Sequence, residues 1–357
     1  LYYTEIGNFK KGFFIMRKLA TIQKIRKLNK LEQFDNLFLA EVLGWRCLVQ
    51  KDDFQEGDMC VYFEIDSLLP DKECFKFMEK YKFRVKTIKI RGIYSQGLCI
   101  SLNKLSLSGD FEEGQDVTEL LGVIKFEDAH RFYGSGDRKG KFPPFIPRTE
   151  EIRIQSVPEV INRWKDRGLN FYITEKLDGT SATFYYMDGQ FGVCSRNMEL
   201  KESEQNIPWK LARTYNLEEK FKNHVEHMNI ENNTVKGYAL QGEILGPKVQ
   251  GNKYKLKDHG VYFFNAYNIT SGKYENVFDL CRKLELETVP LLYENFQLGE
   301  HTIESFVELA KGGSALNNGV LREGIVVRSR DETVIDPELY RLSFKVINPD
   351  FLIKHNC

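Results

Sequence analysis

A lysine that follows an apolar stretch and precedes a carboxylate and a glycine stands at Glu175-Lys176-Leu177-Asp178-Gly179. Used as a nucleophile, its amine must first be neutral. At an ordinary lysine pKa of about 10.4, that costs roughly 4–5 kcal/mol at pH 7. Positive charge nearby lowers the cost by disfavouring the ammonium form. Lys345, in Ser343-Phe344-Lys345-Val346-Ile347, and a divalent metal can supply it. Hard carboxylates suit Mg²⁺ or Mn²⁺, often through waters, and Asp178 and Glu323 are the candidates to organise such an ion. A four-residue K-x-D-G string recurs by chance, so its company matters. Ser195-Arg196-Asn197, Gln241-Gly242-Glu243-Ile244-Leu245-Gly246-Pro247, Val261-Tyr262-Phe263-Phe264-Asn265-Ala266-Tyr267 and Glu323-Gly324-Ile325-Val326-Val327-Arg328 follow in order. The plain alternatives are core packing for the rings of Phe264 and Tyr267, and a solvated face for Glu243 and Glu323.

The elements that must position these residues are strands. Phe171–Thr174 and Ser181–Met187 read as strands, with a hairpin turn at Asp188-Gly189. Further strands are expected over Tyr238–Leu245, Val261–Ile269, Ile325–Arg328 and Leu342–Ile347. Trp209–Phe221 has helical spacing, and Ile303–Lys311 reads as a helix ending at Gly312-Gly313. Under strict alternation Tyr267 faces away from Phe264.

The first third carries a different pattern. Phe38, Ala40 and Val42 alternate with Leu37, Leu39 and Glu41, and Val61, Phe63 and Ile65 alternate with Cys60, Tyr62 and Glu64. Ile88 and Ile90 precede a turn at Arg91-Gly92, and Leu98, Ile100 and Leu102 follow. Alternation of this kind marks half-buried strands. Several short strands within about 100 residues suggest a small barrel, with a β-sandwich as the plainer choice. Residues 106–147 read as a linker, because Gly134–Gly140 is poor in apolar groups and Pro143, Pro144 and Pro147 follow. The expected division is 1–105, 106–147 and 148–357.

Composition narrows the class without choosing the function. The 357 residues are 42% hydrophobic, enough for two domain cores. Lys+Arg and Asp+Glu both number 51, so charge neither supports nor excludes nucleic-acid binding. Seven cysteines without a CxxC pair argue against a zinc site and suit a reducing, intracellular compartment, which the sequence does not specify further. No apolar run approaches the roughly 20 residues that span a bilayer, so no membrane partner is expected. Leu1-Tyr2-Tyr3 does not read as a signal peptide. A monomer is expected, since no coiled coil is evident.

In order and context, the segments from about Arg148 onward resemble the motif series of covalent nucleotidyltransferases: DNA ligases, RNA ligases and mRNA capping enzymes. The resemblance implies that Lys176 attacks the α-phosphorus of a nucleoside triphosphate and becomes adenylated. It implies that Glu175, Arg196, Glu243, Phe264, Tyr267 and Glu323 bind the nucleotide. Arg196 contacts sugar or phosphate, Glu243 accepts from a ribose hydroxyl, and Phe264 stacks on the purine. Lys345 and Asp178 join Lys176 as catalytic residues, and Lys345 holds the α-phosphate. The sequence departs from the family's K-x-K ending, because Ser343 stands where the first lysine is expected. Arg341 or Lys354 could supply that charge, though neither has the matching spacing.

Only about a dozen residues follow Lys345, and the expected barrel precedes the catalytic part. That order resembles the ATP-dependent RNA ligases of the Naegleria type, with an N-terminal OB barrel and a C-terminal nucleotidyltransferase domain. Gly57–Ser67, Ser95-Gln96-Gly97-Leu98 and Phe145–Gln155 contribute to the likeness. It implies an α+β fold, ATP with Mg²⁺ or Mn²⁺, and joining of RNA 3′-hydroxyl and 5′-phosphate ends through lysyl-AMP and an adenylated 5′ end. Nicked or broken RNA is the expected partner. Arg84, Lys86, Lys89 and Arg91 form a strand-spaced basic set that could meet the RNA backbone, with a solvated strand face as its plain alternative. A DNA ligase or guanylyltransferase would differ in nucleotide and strand preference. A non-catalytic RNA-binding protein would not need all of Lys176, Asp178, Glu243, Glu323 and Lys345.

Overall fold

Hairpins build the N-terminal part. In the computed structural model, which describes residues 17–126, 135–230 and 234–356, the strands Lys27–Lys30, Leu37–Val42 and Trp45–Gln50 form one antiparallel sheet. The strands Ala20–Lys24, Met59–Phe63 and Leu98–Ser101 form a second. Leu1-Tyr2-Tyr3 and Gly134 lie outside the described residues. The turn expected at Arg91-Gly92 closes the hairpin Ile88–Ile90/Ile93–Ser95. Both turn residues have positive φ, the mirror-image geometry that matches strand twist.

The strand Met59–Phe63 departs from the half-buried expectation. Cys60, Val61, Tyr62 and Phe63 are all fully buried. Cys60 and Tyr62 pack with Ala40, Trp45 and Cys47, while Val61 and Phe63 pack with Ile22, Phe75 and Val117. A 3₁₀ helix at Glu73–Tyr81 and residues beyond 105 supply that second layer. The segment expected as a linker therefore carries structure. Val117, Leu121 and Val123 join the N-terminal core, Arg138–Lys141 pairs with Met198–Leu200, and Phe142 and Ile146 pack against Tyr185 and Cys194. Its apolar residues are too thinly spread to show a period, yet Val117, Leu121, Val123, Phe142 and Ile146 are buried, while Leu120 and Ile124 stay exposed.

Two sheets make the remainder. The larger has seven strands, with Thr180–Met187, Gly237–Leu245 and Gly260–Asn268 adjacent near its centre. The smaller has the order Ile152–Arg153, Ser343–Ile347, Gly324–Ser329, Phe171–Lys176, Leu291–Phe296. Helices Ile207–Thr214, Leu217–Ile230 and Val277–Lys283 cover one face of the large sheet through Phe184, Leu240 and Phe263. The single helix expected over Trp209–Phe221 is two, broken at Asn216, whose φ is 51°. The C-terminal helix Pro349–His355 returns to the barrel, where Ile347 and Leu352 join the cluster around Trp45 and Tyr62.

Candidate active site

The uncovered face of the large sheet meets the small sheet around a cavity of about 300 Å³. The small sheet contributes Glu175, Lys176, Val326, Arg328 and Lys345, and the large sheet contributes Thr180, Ser181, Glu243 and Phe264. Alternation explains part of this. Leu240 and Ile244 point to the helices, so Gln241 and Glu243 point to the cavity side. The remainder depends on a β-bulge. Gln241 pairs with Asn265 and Gly242 with Phe263, leaving Phe264 as the extra residue. A bulge re-aims its side chain and breaks alternation. Phe264 thus enters the cavity, and Tyr267 returns to the same face of the sheet instead of the opposite one. Tyr267 does not line the cavity. It packs beside Tyr274 at 5.2 Å and on the cluster of Phe142 and Ile146, so the expectation of a nucleotide-binding Tyr267 is not met by its position.

At one end of the cavity, the Lys176 Nζ donates to both carboxylate oxygens of Glu323, at 2.7 Å each. Burial pulls the Lys176 pKa down, but Glu323, Glu243 and Asp178 outweigh it and hold the ammonium above its ordinary range. Glu243 accepts from the Gly179 N–H at 3.0 Å, and burial, with Glu323 and Asp178 adding, pushes its pKa up to about 8. Asp178 is paired with Lys253, and its backbone N–H donates to the Tyr254 hydroxyl at 2.8 Å. Among the described residues no group of three or more His, Cys, Asp or Glu is arranged to hold a metal directly. Each of Asp178 and Glu323 is instead engaged by a lysine. That donor set, hard oxygens without a closed cage, fits a hydrated divalent ion bound through one or two carboxylates and substrate phosphates.

The other end is cationic. Burial, with Arg153, Lys176 and Arg17 adding, holds the Lys345 pKa well below the usual lysine range. Lys125 and Arg196 both pair with Glu150, at 3.5 and 3.4 Å. Arg17, Arg84 and Arg153 surround Asp66 at 3.2–3.4 Å. Burial opposes ionisation of Asp66, yet the three guanidiniums bring its pKa down to about 2.

Glu175 is 1% exposed. Its Oε2 accepts from the Ala315 N–H at 2.7 Å, while Oε1 is buried without a partner. An unpaired buried acceptor is costly unless a ligand completes it.

Arg328, not assigned a role from the sequence, lines the cavity beside Ser343, the position where the lysine is missing. Its Nε donates to Ser343 Oγ at 3.1 Å, and its other nitrogens reach Glu151 and the Phe264 carbonyl. Arg341 is taken up by Glu332 and Asn265, and Lys354 is exposed on the C-terminal helix. The sequence signal for Arg328 was a charge inside an otherwise apolar strand, where charges are rarely buried unless paired. Lys125, Lys253 and Tyr254 carried no such signal. Nor does the set Arg84, Lys86, Lys89 and Arg91 present a free basic strand. Arg84 and Lys86 reach Asn356, Lys89 reaches Tyr94 and Asp350, and Arg91 reaches the Gln33 carbonyl. Three of the four serve the contact between barrel and C-terminal helix.

Residues 169–347 match the family model described as RNA ligase, and residues 19–102 match a model of an OB-fold domain. A variant of the RNA ligase of Naegleria gruberi solved with ATP and Mn is 34% identical with a TM-score of 0.82, covering 95% of this chain and 99% of that one. A variant with AMP and Mn gives the same values. The ligase with PPi is also 34% identical with a TM-score of 0.82, covering 96% and 99%. No curated protein matches the sequence.

Proposed function

We propose a role for each residue of the cavity on one premise: the chain belongs to the RNA ligase family. It is an ATP-dependent RNA ligase that uses a divalent metal. In the reading advanced here, Lys176 Nζ attacks the α-phosphorus of ATP. A P–N bond forms, the bond to the β-phosphate oxygen breaks, and pyrophosphate leaves. AMP then passes to a 5′-phosphate on RNA, and a 3′-hydroxyl attacks that adenylated end, forming the phosphodiester and releasing AMP.

The observation that carries this reading is the polarity of the cavity. Lys176 stands among Glu323, Glu243 and Asp178, while Lys345 feels Arg153 and Arg17 from behind the cavity wall, and Arg196 and Lys125 pair with the lining residue Glu150. Such a gradient orients a triphosphate, with its leaving pyrophosphate toward the cations. The barrel side supplies Arg17 and Lys125 to that end, which supports a contribution of the barrel to the first step. The two contacts from Nζ support Glu323 as the group that takes the lysine proton. Asp178 and Glu323 would hold the metal through waters, and the ion would neutralise phosphate charge. Arg196 would contact sugar or phosphate, and Glu243 would accept from the ribose.

The unpartnered Glu175 Oε1 supports adenine over guanine. Adenine presents an amino donor where guanine presents a carbonyl acceptor, and Phe264 would stack on the base. No helix among the described residues is long and apolar enough to cross a membrane. Free cysteines at Cys47, Cys60, Cys74, Cys99, Cys194 and Cys281 support a reducing compartment, in which the protein acts as a monomer.

The test is sealing of nicked RNA with 5′-phosphate and 3′-hydroxyl ends. Joined product is expected, with none when the nick carries a 5′-hydroxyl or a 3′-phosphate. Equal joining of either blocked nick would overturn the end chemistry.

A further inference from the structure

Chain-wide charge is balanced, but residues 72–91 hold eight Lys or Arg against two Glu. Arg84, Lys86, Lys89 and Arg91 are engaged within the protein, as described above. The cations left facing out lie beside the 3₁₀ helix Glu73–Tyr81. Lys76, which pairs with the exposed Asp71 at 2.7 Å, and Lys80 and Lys82 are exposed. Between them stand two exposed aromatic rings, Phe77 at 53% and Tyr81 at 39%, while Phe75 and Met78 of the same helix are buried. Helical spacing accounts for the buried pair, and packing does not account for the exposed one. Lys80 lies over the Tyr81 ring at 4.9 Å and Lys76 near the Phe83 ring at 6.0 Å, so cations and π-faces share one surface.

That surface connects to the cavity. Lys125, paired with the cavity residue Glu150, sits opposite Ser67 in a two-residue strand pairing, and Ile124 sits opposite Leu68. Ile124 is 60% exposed and Leu120 61%. Lys72, just before the 3₁₀ helix, donates to the Leu121 carbonyl at 3.2 Å. These contacts link the 3₁₀ helix of Phe77 and Tyr81, through Lys72 and Leu121, to Leu120, Ile124 and Lys125, an exposed band in which Glu73, Glu79 and Glu119 also stand among the lysines.

We infer that this band is a track for single-stranded RNA flanking the ends to be joined, with Phe77 and Tyr81 stacking bases and Lys76 and Lys80 meeting phosphates. It rests on the RNA-joining reading above and adds the place where the strand is held. Stacking platforms lined by cations are the general solution for unpaired nucleic acid. Aromatics accept any base, and lysines track the backbone. A duplex has no free π-faces to offer, so the track selects unpaired flanks. Exposed aromatics without a ligand are otherwise a solubility liability.

The test uses the full chain, the double variant Phe77→Ala/Tyr81→Ala and the charge variant Lys76→Glu/Lys80→Glu. All four positions are exposed, so folding is expected to survive. Transfer of label from ATP to Lys176 should proceed at the wild-type rate in both. The probes are single-stranded RNA of about 20 nucleotides and an RNA nick with fully paired flanks. Binding of the single strand should weaken about tenfold or more in each variant, and the charge variant should lose part of the salt dependence. The paired nick should be bound within about twofold of wild type. Unchanged single-strand affinity in both variants, with labelling intact, would overturn the track, as would equal losses on both probes. Failure of the wild type to label at all would instead overturn the adenylation reading.

Discussion

Lys176 and Lys345 line the same cavity, yet their surroundings push them in opposite directions. Around Lys176 three carboxylates outweigh burial and keep the ammonium. Around Lys345 burial is reinforced by Arg153 and Arg17, and the ammonium is disfavoured. Lysines chemically alike in the chain are thus split by what the two sheets bring to each. Pairs of titratable groups pushed apart in this way are a mark of sites that divide labour. The surroundings of Lys176 favour its ammonium form. Activating it therefore requires a change at the carboxylate end, which is where a divalent ion and the triphosphate would act.

Replacing each end separately should break the contrast in different steps. Lys176→Ala is expected to abolish joining of RNA with a 5′-phosphate while still joining RNA supplied already adenylated at that end, measured as ligated product on a gel. Loss of both would mean that Lys176 does more than carry AMP. Lys345→Ala should slow the first step by about 10²–10³-fold, the range for removing one transition-state electrostatic contact, read in single-turnover adenylation. A loss of only about twofold would show that Arg153 and Arg17 suffice. Glu175→Ala should narrow the preference for ATP over GTP by about tenfold, with competition labelling as the readout.

The smallest effect sharpens the electrostatics. Glu243 has a folded pKa of about 8 against 4.5 for the free side chain. Its contribution to stability is fully present below about pH 4.5 and is lost as pH rises toward 8. Glu243→Gln, which can keep the Gly179 contact, should therefore raise the melting temperature by about 2 °C or more at pH 8–9, with the difference vanishing near pH 4.5. A difference independent of pH would place the effect in packing instead.

Legibility in the sequence followed physical range. Lys176, Glu243 and Glu323 stood out as charges on or beside apolar strands, whereas Glu175 and Lys345 were picked out only by the resemblance of the ordered motifs to a family. The hairpin at Asp188-Gly189 was readable from local turn chemistry, and both residues have positive φ. Phe264 and Tyr267 could not be sorted by alternation, since a bulge is a property of two paired strands and the register slip at Gln241 and Gly242 appears in neither alone. The roles of Arg84, Lys86 and Lys89 were hidden for a similar reason. Their partners Asp66, Asn356, Tyr94 and Asp350 include residues more than 250 positions away. Lys125 was hidden inside a segment whose sparse apolar residues imitate a linker.

The central claim is that Lys176 is the amine that accepts AMP. The direct measurement is transfer of label from ATP or GTP carrying a radioactive α-phosphate, with divalent metal, to wild-type protein stripped of bound nucleotide and to Lys176→Ala. The account predicts an acid-resistant label from ATP alone that vanishes in the variant. Label from GTP, or label that persists without Lys176, would contradict it.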